Sequence, residues 1–265
     1  MRRCTVLLAI LLLASVAVNA QDPLGEARRL YNAGAYDEAE QAARAALELP
    51  ETANSARVVL GRIVLERYRK DPSAGLAEAR MAFRDVDASR LDPSERLELT
   101  VGFAETLYLE DRFAAAAAMF EPILGSSKAL GAAAHERVLD WWANALDRHA
   151  QRRPMAERPA IYTKIAERMH AELVQDPGSI PAGYWVVAAA RASGDLDAAW
   201  SAATAAWIRA AFARDRGVIL RGDLDRLVVQ AIIPERAERL SPRDSTVAMA
   251  GLLSEWEAFK AEWAR

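Results

Sequence analysis

The chain has 265 residues, with 34 basic against 37 acidic side chains and a formal net charge of −3 when the histidines are neutral. Because there is no basic excess, the composition favours neither nucleic acid nor an anionic membrane surface as a partner. Cys4 is the only cysteine, which excludes an intrachain disulfide, so the fold must be stabilised by packing.

The N-terminal segment MRRCTVLLAILLLASVAVNA has the layout of a secretory signal peptide. Two arginines precede an apolar run over residues 6–18, and Val18 and Ala20 precede Gln21 as at a cleavage site. The run is shorter than the roughly 20 residues that span a membrane. We expect residues 1–20 to be removed and the mature chain to be periplasmic or secreted, without stable membrane insertion. An uncleaved anchor is the alternative.

After this segment, the sequence predicts helices almost throughout. Apolar residues recur with helical spacing, and no run of alternating β-branched residues is bounded by turns, which favours an all-α fold. Asp22 and Asp92 are each followed by proline, as at a helix N-cap, and Glu95 completes a capping box. We therefore predict that helices begin directly after both aspartates.

Five short polar breaks divide the helical patterns into pairs, and they fall at Gly34, Asp71, Asp111, Arg153 and Gly194. The differences between these residue numbers are 37, 40, 42 and 41. A nearly constant period of about 40 residues indicates stacked helix pairs. Three of the breaks are followed by a large residue and then by small or apolar residues at helical intervals: Tyr36, Ala39, Ala43 and Ala46; Phe113, Ala116, Phe120 and Ile123; Leu196, Ala199, Ala203 and Ala206.

The stretch GAYDEAEQAARAALELP resembles the second half of a tetratricopeptide repeat, with Gly34 at the turn, Tyr36 two residues later and a closing Pro50. SGDLDAAWSAATAAW is similar but has Leu196 in place of the aromatic residue. The period exceeds the roughly 34 residues of that family, and a longer helical repeat such as HEAT is the alternative. The resemblance implies a TPR-like α-solenoid of about five helical hairpins over residues 21–213.

Residues 214–265 do not restart the repeat, and we predict that they form a C-terminal helical cap. The terminal unit of an array buries one face and exposes the other. Leu224, Val228 and Ile232 share one helical face, and we expect this helix to end at Pro234. The alternative is a docking helix for a partner, carried by Trp256, Phe259 and Trp263.

No compact motif predicts a catalytic residue, a metal ligand or a cofactor. His135 and His149 are 14 positions apart, about 21 Å along a helix, so they cannot share an ion. The acidic pairs Asp85–Asp87 and Asp223–Asp225 are typical of helix caps and solvated charge. An enzyme would need carboxylates from distant helices to meet in a groove.

The candidate ligand-binding residues lie on the first helices of the hairpins. Tyr31, Tyr68 and Tyr108 recur near the ends of three of these helices, which in a tetratricopeptide array is on or beside the concave wall. Arg28 and Glu105 precede two of them by three residues, one helical turn, whereas the middle unit has leucine there. The alternative is that each tyrosine packs against its own second helix.

Two adjacent aromatic pairs, Trp141-Trp142 and Tyr184-Trp185, also fall on first helices. Neighbouring side chains point about 100° apart around a helix, so one ring of a pair faces the core and leaves the other for a groove. Trp185 is included among the candidate ligand-binding residues.

Taken together, these patterns predict an exported protein that binds a protein or peptide on the concave face of a helical-repeat solenoid and is not an enzyme. The alternative is a glycan-binding or glycan-acting periplasmic solenoid. The sequence does not indicate an oligomeric state.

Overall fold

The computed structural model describes residues 22–263, which form α-helices joined by turns and short 3₁₀ segments. No β-strand occurs within residues 22–263, which confirms the all-α class. The helices are α1 Pro23–Asn32, α2 Tyr36–Leu47, α3 Ala53–Lys70, α4 Ala77–Arg84, α5 Pro93–Leu109, α6 Phe113–Phe120, α7 Ala132–Gln151, α8 Arg158–Gln175, α9 Ile180–Ala192, α10 Leu196–Arg209, α11 Gly217–Leu227, α12 Ile233–Leu240 and α13 Ser245–Glu262.

The expected signal peptide, residues 1–20, lies outside the described residues. Among the helices of residues 22–263, none is both long enough and apolar enough to cross a lipid bilayer.

Both predicted helix starts are confirmed by their capping contacts. The Asp22 side chain accepts a hydrogen bond from the backbone N–H of Gly25 at 3.0 Å. At α5, the Asp92 carboxylate accepts from the Glu95 N–H at 2.8 Å, and the Glu95 carboxylate accepts from the Asp92 N–H at 3.0 Å. This reciprocal pair satisfies two amide donors that the helix itself leaves unpaired.

Each of the five predicted breaks lies between two α-helices. Gly34 and Gly194 have φ angles of 76° and 89°, in the left-handed region that glycine adopts without a steric penalty. Asp111, between α5 and α6, has a φ of 61°, which aspartate tolerates better than most residues do. Asp71 caps the C-terminus of α3, and Arg153 follows α7 just before the 3₁₀ turn that precedes α8.

The small residues predicted to face the partner helix are buried. Ala39, Ala43 and Ala46 of α2 are fully buried against α1 and α3, and Ala199, Ala203 and Ala206 of α10 are equally inaccessible. Side chains of this size allow neighbouring helices to approach closely, so the helical register of both segments is confirmed.

The helices pack in two layers. The odd-numbered helices from α1 to α11 contact one another in chain order, and we call them the first-helix layer. Helices α2, α4, α6, α8 and α10 each pack between consecutive members of this layer. The first-helix layer carries the concavities described below.

Phe83 of α4 marks one of the tightest contacts between the layers. A Cβ atom added at Gly61 of α3 or at Gly102 of α5 would lie 2.4 Å from an atom of its ring. Only glycine leaves room for the phenyl group at both positions, because real Cβ atoms essentially never approach that closely.

The predicted end of the tail helix at Pro234 is wrong. Helix α11 continues into a π-helical turn, Val228–Ile232, and then into α12, whose first turn contains Pro234. The π-turn has already shifted the hydrogen bonds out of the α-helical pattern. A proline in the turn that follows therefore breaks no regular ladder.

The predicted capping role of Asp223–Asp225 is also wrong, because both aspartates lie inside α11 instead of at its start. Asp225 accepts hydrogen bonds from Trp256 Nε1 at 2.8 Å and from Lys260 Nζ at 2.7 Å. Trp256 is fully buried and packs edge-on against Trp200 and Trp207, with ring centroids 5.8 and 5.4 Å away. The aspartate thus anchors α13 to α11.

Candidate functional site

A groove of about 850 Å³ opens on the first-helix layer between α7, α9 and α11, and it is much larger than the other cavities described below. Apolar, aromatic and charged side chains line it, and the principal ones are Ile180, Pro181, Leu227 and Ala231; Trp141 and Tyr184; Glu136, Arg137, Asp140, Arg216, Asp223 and Arg226. Ligand pockets typically measure about 300–1,000 Å³, so this groove can hold a sizeable ligand.

The two adjacent aromatic pairs divide between core and groove. Trp142 is buried in the core, whereas Trp141 lines the groove. In the second pair, Tyr184 lines the groove and Trp185 is buried behind it. The Trp185 indole still contributes, since its Nε1 donates to Asp140 Oδ1 at 2.8 Å and so holds the Asp140 carboxylate in place.

Two ion pairs lie along the groove. Arg216, in the segment before α11, pairs with Glu136 of α7 and so links two walls. Arg226 pairs with Asp223 one helical turn away, with 3.2 Å between guanidinium and carboxylate. Arg137 of α7 takes part in no ion pair within residues 22–263, which leaves its charge available to a ligand.

Asp140 is the perturbed acid of the groove. Its carboxylate is reached by solvent but is enclosed by the groove walls, and this desolvation raises its pKa. The Trp185 hydrogen bond opposes the shift, and repulsion from Asp223 adds to it. Two carboxylates, one from α7 and one from α11, therefore influence each other across the groove, and a cation nearby would relieve their repulsion.

The sequence-predicted residues Arg28 and Tyr31 lie elsewhere, in a separate and more enclosed space of about 180 Å³ that we call the arginine cavity. Its polar lining consists of Arg28, Tyr31, Asn32, Arg62, Glu98 and Arg137. The Tyr31 hydroxyl donates to Glu66 at 3.2 Å, and burial raises the pKa of Tyr31 to about 12. Tyr31 is therefore an uncharged, largely enclosed phenol.

Tyr68 and Tyr108 line a third space, of about 420 Å³, near the turns at Asp111 and Arg152. Tyr108 packs edge-on against Trp141 with ring centroids 4.6 Å apart. The three tyrosines consequently do not share one cavity.

The remaining candidates are buried. Glu105 is buried and pairs with Arg69 at 2.9 Å, so its carboxylate neutralises the charge of an arginine on the neighbouring helix α3. Trp185 does not line the groove, but it contacts two residues that do, Asp140 through a hydrogen bond and Tyr184 through an edge-on ring contact.

Sequence reasoning missed Asp140, Tyr184 and Asp223 as groove residues. The 100° rule applied to Tyr184-Trp185 could have found Tyr184, but it does not say which ring faces inward. Asp140 and Asp223 come from segments 83 positions apart in the sequence, and no local pattern predicts that they share a groove.

A buried serine–histidine–glutamate chain was also missed. His135 Nδ1 lies 2.7 Å from Ser127 Oγ, and Nε2 lies 3.0 Å from Glu172 Oε1. Ser127 is fully buried and its hydroxyl donates to the Leu124 carbonyl at 2.9 Å, so it is unavailable to attack a substrate. The chain joins the 3₁₀ turn Ser126–Leu130 to α7 and α8.

Comparison with known proteins gives no relative from which a function could be transferred. No protein-family model matches the chain, and neither the curated proteins nor the solved structures contain a significant match.

Proposed function

We propose that this chain is a TPR-like helical-repeat protein that binds an extended peptide or protein segment in the groove between α7, α9 and α11. The groove itself carries the proposal: it is a concavity of about 850 Å³ lined by apolar side chains, two aromatic rings and charges of both signs. Such a lining suits a peptide, whose backbone and side chains offer apolar, donor and acceptor groups together.

The packing of the helices supports the solenoid part of this proposal. Five consecutive helix pairs meet at the predicted turns, and the first helices contact one another in chain order. In such an array, the last hairpin, α9 and α10, would expose one apolar face. Helices α11 to α13 cover that face and so act as the C-terminal cap. The groove uses α11, so the cap contributes one wall of the site.

The cellular part of the proposal rests on the N-terminal sequence. With its signal peptide removed after Ala20, the protein acts as a binding or scaffolding module in the cell envelope, in the periplasm or outside the cell. N-terminal sequencing of the exported protein tests this, and an intact Met1 in the membrane fraction contradicts it.

Peptides selected by the mature chain from a displayed random library provide the direct test of the groove. Tyr184→Ala removes an aromatic wall, and Ala133→Leu inserts bulk at an exposed position of the groove. We expect each variant to weaken binding of a selected peptide about tenfold or more. Ala133→Leu should do so at nearly unchanged melting temperature, because Ala133 is exposed, whereas Tyr184 also packs against the core.

Two further variants locate the site. Ala45→Leu adds the same bulk on the exposed face of α2, away from the groove, and should bind as the parent does. Tyr31→Ala tests the position predicted from the sequence. If Tyr31→Ala abolishes binding while Tyr184→Ala preserves it, the groove is not the ligand site.

The carboxylate pair favours a second candidate, a glycan-binding or glycan-acting groove. Asp140 has a raised pKa beside Asp223, and glycosidases use two carboxylates whose environments differ. Aromatic side chains such as Trp141 and Tyr184 could also stack on sugar rings. The Arg226–Asp223 pair counts against catalysis because it engages one of the two carboxylates.

Retention on peptidoglycan or another envelope polysaccharide distinguishes the two candidates. Binding that is lost in Tyr184→Ala, together with release of soluble sugar that is lost in Asp140→Asn, would establish the glycan function. Selection of peptides without any retention on polysaccharide would establish the peptide function.

A further inference from the structure

The arginine cavity presents more positive than negative charge. Its lining contains three guanidinium groups, from Arg28, Arg62 and Arg137, against one carboxylate, from Glu98. Arg28 is already paired with Glu95, which lies outside the lining. The positive excess is confined to the lining, because further charges lie just outside it: Glu66, Glu95 and Glu105 against Arg69.

Two of these guanidinium groups form no direct ion pair. Burial opposes the charge of Arg62, but Tyr31, Glu105 and Glu98 nearby keep its pKa above the ordinary value. Among residues 22–263, neither Arg62 nor Arg137 lies within ion-pair distance, 4.0 Å, of a carboxylate, and the same holds for Glu98 toward any cation. Arg62 lies over the Tyr31 ring, with its guanidinium carbon 5.3 Å from the ring centroid. A ring face attracts a cation but offers no oxygen acceptor for its N–H groups.

Arg62 also carries a buried donor without an acceptor. Its Nε atom is sealed from solvent and makes no hydrogen bond within the described part of the chain. An unsatisfied buried donor is destabilising, more so when it belongs to a charged group, and such donors are rare in native proteins. Arg168 and Arg209 carry a sealed Nε of the same kind, so this feature shows that Arg62 is incompletely paired and does not by itself mark a ligand site.

The three arginines approach the cavity from different helices, Arg28 from α1, Arg62 from α3 and Arg137 from α7. Donors that converge from separate directions match oxygens spread in three dimensions better than the two coplanar oxygens of a carboxylate. Guanidinium groups form short, strong hydrogen bonds to phosphate oxygens. A volume of about 180 Å³ is small enough to restrict the occupant to a compact group.

We infer that the arginine cavity binds a tetrahedral oxyanion, phosphate or sulfate, through Arg62 and Arg137. This site is distinct from the peptide groove, although Arg137 contributes to both linings. A bound oxyanion would bridge α3 and α7, two helices that lie far apart in the chain.

Isothermal titration of the mature protein with inorganic phosphate tests the inference, with chloride at equal ionic strength as the reference. We expect saturable binding of phosphate or sulfate that Arg137→Gln and Arg62→Gln each weaken about tenfold or more. Arg243→Gln, at an exposed arginine in the turn before α13, should leave the affinity unchanged. Because Arg137 is exposed, its variant decides the matter if Arg62→Gln fails to fold.

Glu98→Gln should change the phosphate affinity in the opposite direction from the arginine variants. Removal of the only carboxylate in the lining should tighten phosphate binding, which a purely structural role for the cavity would not produce. Tyr184→Ala, confined to the groove, should preserve it, so failure of the peptide site does not imply failure of this one. Absence of saturable binding, equal loss in Arg243→Gln, or acetate binding as tightly as phosphate would overturn the inference.

Discussion

The first-helix layer is closed by charged side chains over α1, α3 and α5, whereas over α7, α9 and α11 it remains open as a groove. In the closed half, long side chains bridge neighbouring helices: Arg28 pairs with Glu95, Arg69 pairs with Glu105, and Tyr31 donates to Glu66. In the open half, alanines at positions 133 and 231 occupy places along the groove that longer side chains could fill. The same helical layer thus encloses a small cavity in one half and opens into a wide groove in the other, according to side-chain length and charge complementarity.

The open half needs a well-packed core behind the groove to keep its shape. Of the substitutions considered, Trp256→Ala should cause the largest loss in the free energy of unfolding. Trp256 is fully buried, packs against Trp200 and Trp207, and donates to Asp225 of α11. Its removal leaves a cavity and an unpaired partner, for a loss of about 3–5 kcal/mol. Urea denaturation measures the loss, with Trp263→Ala at a partly exposed ring as control. A small loss for Trp256→Ala would mean that the groove wall is loosely packed.

The second-largest expected effect is the difference in the free energy of unfolding when leucine replaces an alanine in the closed half or in the open half. Ala39 is fully buried between helices of the closed half, so Ala39→Leu should cost about 1–3 kcal/mol through overpacking. Ala133 is exposed at the groove, and Ala133→Leu should change the free energy of unfolding by no more than about 0.5 kcal/mol. Equal costs at both positions would remove the distinction between a closed and an open half.

Alanine in place of glycine should give opposite signs in the two halves. At Gly102, a Cβ would lie 2.4 Å from the Phe83 ring, and this clash should outweigh the gain in helix propensity, leaving a net loss of about 1 kcal/mol. At Gly222 of α11, a Cβ would meet no atom within 4 Å, so Gly222→Ala should stabilise by about 0.5–1 kcal/mol. Thermal denaturation of both variants reports the two signs, and stabilisation by Gly102→Ala would show that Phe83 can move aside.

The parts of the fold that follow local rules could be predicted from the sequence. Glycine at 34 and 194 marks turns that need positive φ, and Asp92 with Glu95 marks a helix start through contacts three residues apart. The buried alanines of α2 and α10 follow from helical period alone.

The closed and open faces could not be predicted, because they depend on partners remote in sequence. Arg28 and Glu95 are 67 positions apart, and Trp185 and Asp140 are 45 positions apart. The tyrosine repeat was visible, but whether charged neighbours would cover it depends on the angle and spacing of the helices. The π-turn Val228–Ile232 has no sequence signal comparable to a cap.

The smallest predicted effect is the change in melting temperature when Asp140 loses its charge. The pH dependence of this change follows from the shifted pKa of Asp140. Desolvation in the groove, with repulsion from Asp223, raises the folded-state pKa of Asp140 above its ordinary value of 3.8. Because this pKa is higher in the folded state than in the unfolded state, the ionised carboxylate lowers the free energy of unfolding at pH values above the folded-state pKa. The destabilisation disappears as the pH falls below the folded-state pKa to the unfolded-state pKa. Asp140→Asn keeps an oxygen acceptor for Trp185 and removes the charge, so it should melt slightly higher than the parent at neutral pH.

The difference in melting temperature should shrink as the pH falls, because Asp140 of the parent becomes protonated. Glu172 is the matched contrast: burial opposes its charge, but the hydrogen bond from His135, with Lys128 nearby, lowers its pKa below the ordinary value of 4.5. Its ionised form therefore stabilises the fold above the unfolded pKa, and that stability is lost as the pH falls through the folded pKa. Glu172→Gln should accordingly be destabilising at neutral pH. If Asp140→Asn is instead destabilised at neutral pH in the same way, the Asp140 carboxylate is a structural charge and not one held ready for a ligand.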